Sequence, residues 1–166
     1  MKNVFKLLVI SLISTAVTCE QQENENCHTS IRFSNNTEKD LIVMHRHLSF
    51  HFTDPFNIVR LGFNVKDEWH RVNRGEQNNR RAMSTFGRVC IEHVFEDNKN
   101  WGDTVFIYIF DATVVENTPW EVVARDNLIL KRYHLTLEDL QRLNWIVSYP
   151  PEEEMRDIKQ YPPFGQ

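Results

Sequence analysis

The run Val105-Phe106-Ile107-Tyr108-Ile109-Phe110 constrains this chain more than any other feature. Six consecutive apolar or aromatic residues, bounded by polar ones, read as a strand buried on both faces. Further on, Trp145-Ile146-Val147-Ser148-Tyr149 is rich in aromatic and β-branched residues and is closed by Pro150 and Pro151, so it reads as another strand. Between them, Thr118-Pro119-Trp120-Glu121 sets a capping threonine three residues before a glutamate, with proline at the first helical position. That predicts a short helix with Trp120, Val123 and Ala124 on one face. Leu128 to Tyr133 reads as a strand, and Thr136 followed by Asp139 opens a second helix with a Leu137, Leu140, Leu143 stripe. The order is β, α, β, α, β, expected to fold around Phe106, Trp120 and Trp145.

The connection from Phe110 to Leu128 has 17 intervening residues, enough for a parallel crossover, whereas the 10 between His134 and Trp145 are marginal. A mixed sheet therefore fits better than a doubly wound one. The first half is strand-rich. Thr29 to Phe33 alternates and is followed by the turn residues Ser34 to Glu38, which predicts a hairpin into Leu41. Leu41 to Phe52 reads as a half-buried strand and Phe56 to Val65 as a further one. Phe86, Val89, Cys90, His93 and Val94 share helical spacing, predicting an amphipathic helix over 84–95 with His93 packed. The fold class is α+β: a mixed β-sheet or sandwich-like domain with two or three short helices, spanning residues 29–150. Residues 151–166 form a proline-rich C-terminal tail, extended or partly disordered, with Tyr161 and Phe164 expected to dock on the domain.

Ahead of the domain lies a targeting segment. Lys2 and Lys6 precede an apolar run from Leu7 to Val17, too short to span a bilayer and right for the core of a signal peptide over residues 1–18. Cys19 follows directly, as in a bacterial lipoprotein signal, where the cysteine is acylated (palmitate among its acyl groups) and becomes the mature N-terminus. Ordinary cleavage near Thr18, leaving a secreted or periplasmic protein, is the alternative. Residues 19–28 read as a flexible tether, since Glu20 to Asn26 offers nothing apolar to bury. An exported chain permits a Cys27–Cys90 disulfide, and an unpaired buried Cys90 stands beside it as the other reading. Removing residues 1–18 moves the formal charge from −4 to −6, which speaks against nucleic acid as a partner.

Three sets of side chains carry candidate chemistry. Asp111, ending the apolar strand, and Glu116 in the same loop are a carboxylate pair of the kind a glycan-processing hydrolase needs, although Asp111 also suits an Asx-turn. His45, His47 and His51 would project from one face of a strand and offer a metal-binding set, or simply form its solvated face. Arg71, Arg74, Arg80 and Arg81 make a basic loop suited to an anion or partner. No motif for a cofactor or phosphate is present, and Gly, at 5 residues, is too scarce for a phosphate-cradling loop enzyme.

Asp103-Thr104, Ile109-Phe110-Asp111-Ala112, Pro119-Trp120, Leu130-Lys131-Arg132-Tyr133, Leu137-Glu138-Asp139-Leu140, Asn144-Trp145 and Tyr149-Pro150 together resemble a family of small exported lipoproteins of gut anaerobes with no established activity. The resemblance implies a compact surface-associated domain and transfers no catalytic residues. The expectation is a non-enzymatic binding or scaffolding module. It would be held to a bacterial membrane (the outer membrane or cell surface) through Cys19, with an envelope protein or a glycan as partner and no cofactor.

Overall fold

The structure is a computed structural model and describes residues 24–47, 69–79, 89–96 and 103–166. The signal segment, Cys19, the strand expected over 56–65, His51, Arg80, Arg81 and the first part of the helix expected over 84–95 lie outside the described residues. The elements run β1 (Arg32–Asn35), β2 (Leu41–His47), β3 (His70–Val72), α1 (Ile91–Glu96), β4 (Val105–Asp111), α2 (Ala112–Asn117), α3 (Trp120–Arg125), β5 (Lys131–Leu135), α4 (Leu137–Arg142), β6 (Ile146–Tyr149) and β7 (Lys159–Tyr161). A five-stranded antiparallel sheet has the order β3-β2-β4-β5-β7, and β1 pairs with β6 in a separate parallel ribbon. The class is α+β.

The apolar run is the middle strand, β4, and its alternation sends side chains to opposite faces. Val105, Ile107 and Ile109 join Val43, Tyr133, Leu135, Trp145 and Val147 on one side. Phe106, Tyr108 and Phe110 join Ile42, Met44 and Val123 on the other, with Trp69 and Trp120 packed against them. Each fully buried large side chain contributes about 1.5–3 kcal/mol, so both covers matter. This arrangement corrects two expectations. Phe106 and Trp120 share one core while Trp145 lies in the other, so there are two nuclei and not one. The odd face of β2, read as solvated, is buried at Leu41 and Val43, because β2 too is covered on both sides.

The remaining differences have local causes. No hairpin joins β1 to β2: β1 pairs in parallel with β6 over Arg32↔Ile146 to Asn35↔Tyr149. The connection after Phe110 does not cross over either, because β4 and β5 run antiparallel. Its length is taken up by two helices. Asp111 caps α2 by accepting from the Thr113 and Val114 backbone N–H groups, and Thr118 serves as the C-cap of that helix. Pro119 then precedes α3 with no side-chain cap. β5 begins three residues later than expected, at Lys131, after the left-handed Asn127. The Thr136–Asp139 capping box forms in full.

Cys27 and Cys90 are joined in a disulfide. The chain is therefore fixed to the domain from Cys27, and Asn24 and Cys27 close a turn by mutual backbone bonds at 3.1 Å. In α1, Ile91, Glu92 and Phe95 are buried while His93 is exposed. The helix has rotated away from the expected face because Glu92 turns inward to accept from His28, at 2.9 Å from its backbone N–H and 2.6 Å from Nδ1. At the other end, β7 forms the sheet edge against β5. The buried Lys131 ammonium donates to the carbonyls of Pro162, Pro163 and Gln166 at 2.9, 3.2 and 3.1 Å. The C-terminal segment is thus part of the sheet and not a tail beside it.

Candidate functional site

Asn35 builds the region where the sequence candidates meet. It is fully buried, and its side chain donates to the carbonyls of Lys39 (2.7 Å) and Asn73 (3.0 Å) while accepting from the backbone N–H and hydroxyl of Thr37. One amide thereby fixes the turn into β2 and the exit of β3. β-pairing sets Leu41 opposite Asp111 and Ile42 opposite Arg71. Asp40, Arg71, Asp111 and, through α2, Glu116 therefore gather at one end of the sheet.

Arg71 pairs with two of these carboxylates, and Asp111 pairs with Lys39. Arg71 donates to Asp40 at 2.6 Å and also to Glu116. Asp40 further accepts from the Arg74 backbone N–H at 2.9 Å. That bond, followed by the Arg71 guanidinium, holds the Asp40 carboxyl below its usual range, and the two carboxylates raise Arg71. Burial pushes Asp111 up, but the Lys39 ammonium at 3.0 Å and the two capping N–H groups outweigh it, leaving Asp111 lowered. A general acid for glycoside hydrolysis needs the opposite shift. Asp111 is set up to stay ionised, and Glu116 is tied to Arg71, a member of the basic loop expected to take an anion. Arg71 and Glu116, read as members of two candidate sites, thus belong to one ion-pair network with Asp40, while Asp111 pairs with Lys39.

The histidines are dispersed by comparison. His45 and His70, on neighbouring strands, face each other with ring centroids 6.5 Å apart. His47 lies at the end of β2 and His51 falls outside the described residues. Among the described residues no group of three or more His, Cys, Asp or Glu is placed to hold a metal ion. No helix among them is long and apolar enough to cross a membrane.

Beside the ion pairs lies a cleft of about 540 Å³, within the size range of small-molecule sites. Trp69, His70 and Arg71 form one wall, and Asn73 with Glu76 to Asn79 form the rim. The rim turns at Gly75, whose φ of +67° suits glycine, and at the left-handed Asn78. It is stitched to β1 by Phe33 N–H to the Asn79 carbonyl (3.0 Å), Asn79 N–H to the Phe33 carbonyl (2.8 Å) and Asn35 N–H to the Glu76 carbonyl (2.9 Å). Inside it, the Glu76 carboxylate accepts from the side-chain amides of Asn73 and Asn79 at 3.0 and 2.9 Å. In sequence this segment reads as a basic loop. Its other signal, amides crowded between Asn73 and Asn79, has no spacing rule that would have made it a site.

No protein family, no curated protein and no solved structure matches the chain. What the fold and this end of the sheet define is a class of architecture: an α+β domain carrying a polar cleft next to a neutralised charge cluster.

Proposed function

We propose that the chain is an exported binding or scaffolding module of the cell envelope. A lipid on Cys19 holds it to a bacterial membrane, outer membrane or cell surface, and it performs no catalysis of its own. The observation that supports the non-enzymatic part is the use of the two candidate acids. Asp111 caps α2 and pairs with Lys39, and Glu116 pairs with Arg71, so both carboxylates serve the fold. The anchor is supported by the sequence alone: a short apolar run, then Cys19, then a polar stretch. The partner is an envelope protein or a glycan, and the acidic mature chain disfavours nucleic acid.

Fractionation tests the anchor. Cys19→Ala is expected to move the protein from the membrane to the soluble fraction, and retention in the membrane would overturn lipidation. Incubating the purified chain with oligosaccharides tests the rest, with no release of reducing ends expected.

A further inference from the structure

We propose that the end of the domain carrying Cys27 rests on the lipid headgroups of the membrane that holds Cys19, with the Asp40–Arg71 end facing away. The inference rests on the lipid-anchor reading and gives it a face and a distance. Chain length comes first. Read as a free tether, residues 19–28 would reach roughly 30 Å when extended. In the fold, the mutual backbone bonds of Asn24 and Cys27 close a turn, and the Asn26 N–H donates to the Asn24 side chain at 2.9 Å. Five Cα–Cα steps separate Cys19 from Asn24, a reach of at most about 18 Å. A folded chain of this size has a radius of gyration of about 15 Å. A body held so closely can neither stand clear of the surface nor turn over, so the side nearest the attachment faces the lipid.

The attachment point is fastened from three sides. Cys27 is bridged to Cys90. In α1, the Glu92 carboxylate accepts from the His28 backbone N–H at 2.9 Å and lies 2.6 Å from its Nδ1, while the Ile91 N–H donates to the His28 carbonyl at 2.7 Å. The His28 ring stacks on Trp145 at 4.1 Å, and the Trp145 carbonyl accepts from the Arg32 N–H at 2.8 Å, where β1 begins. From there β1 runs to Asn35, about 10 Å at the rise of a strand. Asn35 holds the turn before Asp40 and donates its N–H to the Glu76 carbonyl in the cleft rim. The ion pairs and the cleft thus lie at the opposite end of β1 from the attachment. Charge does not set this orientation. Glu25 is exposed beside Cys27, and Arg32 is turned onto the Asn144 carbonyl at 2.8 Å. Among the described residues at this end, no cluster of Lys and Arg addresses anionic headgroups. The shortness of the tether sets it.

The test places one dye at each end of β1. The full chain is purified with its lipid from bacterial membranes as Glu25→Cys or Glu38→Cys, both exposed positions, and labelled with the native bridge closed. It is then reconstituted into vesicles of phosphatidylethanolamine with a minor share of phosphatidylglycerol. Energy transfer to an acceptor on the headgroups is expected to be at least twofold more efficient from position 25 than from position 38. The ratio should hold between low and high salt, since no charge is being screened. A Gly/Ser insert of about 30 residues between Gln22 and Glu23, spanning roughly 30 Å on average, is expected to bring the ratio close to one. Equal or reversed transfer, a ratio that collapses in salt, or a ratio that survives the insert would each overturn the proposed orientation. With Cys19-dependent membrane retention intact, those results sink the orientation alone. A wild-type chain that does not float with the vesicles sinks the lipid anchor, and the orientation with it.

Discussion

Asn35 shows how much one side chain can hold in place. It is fully buried and spends its amide on two carbonyls from different parts of the chain. Asn35→Ala would strand the Lys39 and Asn73 carbonyls, at about 1–3 kcal/mol for an unmet buried group, and chemical denaturation should show it. Trp145 is a second such residue. It is buried with φ of +61°, a backbone a bulky residue rarely adopts, and it stacks on His28 at 4.1 Å. Trp145→Ala should cost about 3–5 kcal/mol by the same measurement. His134 gives a pH signature. Burial, reinforced by Arg132 and Lys159, pushes its pKa from 6.5 down to about 4. The unfolded chain therefore binds a proton that the native chain refuses, and stability falls as pH drops from 6.5 toward 4, levelling off below. The slope from this residue is at most about 1.4 kcal/mol per pH unit. His134→Phe should flatten that limb of a stability-against-pH curve.

At the level of elements, caps and edges decide where structure starts and stops. Asp111→Asn keeps an acceptor for the Thr113 and Val114 N–H groups, whereas Asp111→Ala removes it. The alanine variant should lose about 0.5–2 kcal/mol and the asparagine variant less, a difference that a catalytic role alone would not produce. Lys131→Met should free β7, seen as faster amide exchange over 159–161 with β4 still protected. The helix α4 was legible because Thr136 and Asp139 carry the capping signal in four residues, and β4 because its apolar run is unbroken. The helix α2 was not legible: ATVVEN is β-branched at its centre, and only Asp111, which reads equally as an Asx-turn, starts it. Strand partners were not legible either. Ile146 to Tyr149 looks the same whether it joins the large sheet or pairs with β1, and the choice depends on contacts more than a hundred residues apart in the chain. The candidate acids and Arg71 were found individually. That Arg71 pairs with Glu116 and Asp111 with Lys39 follows from the register that sets Ile42 opposite Arg71 and Leu41 opposite Asp111.

For the molecule as a whole, two apolar layers sandwich one antiparallel sheet, and a covalent link closes the N-terminal half. Cys27→Ser with Cys90→Ser should cost about 2–5 kcal/mol, read from the fall in midpoint on heating the double variant. The same link has a mechanical consequence. Every residue of β1, β2 and β3 lies between Cys27 and Cys90, which are 63 positions apart. A pull applied at the N-terminus passes straight from Cys27 to Cys90 and bypasses those strands. Extended chain measures roughly 3.3–3.6 Å per residue, so on the order of 200 Å of contour stays out of reach while the bridge is intact. Stretched between its ends in a force spectrometer, the oxidised molecule should yield by that much less than the reduced one. The portion bearing the cleft would keep its covalent closure while the remainder gave way under load.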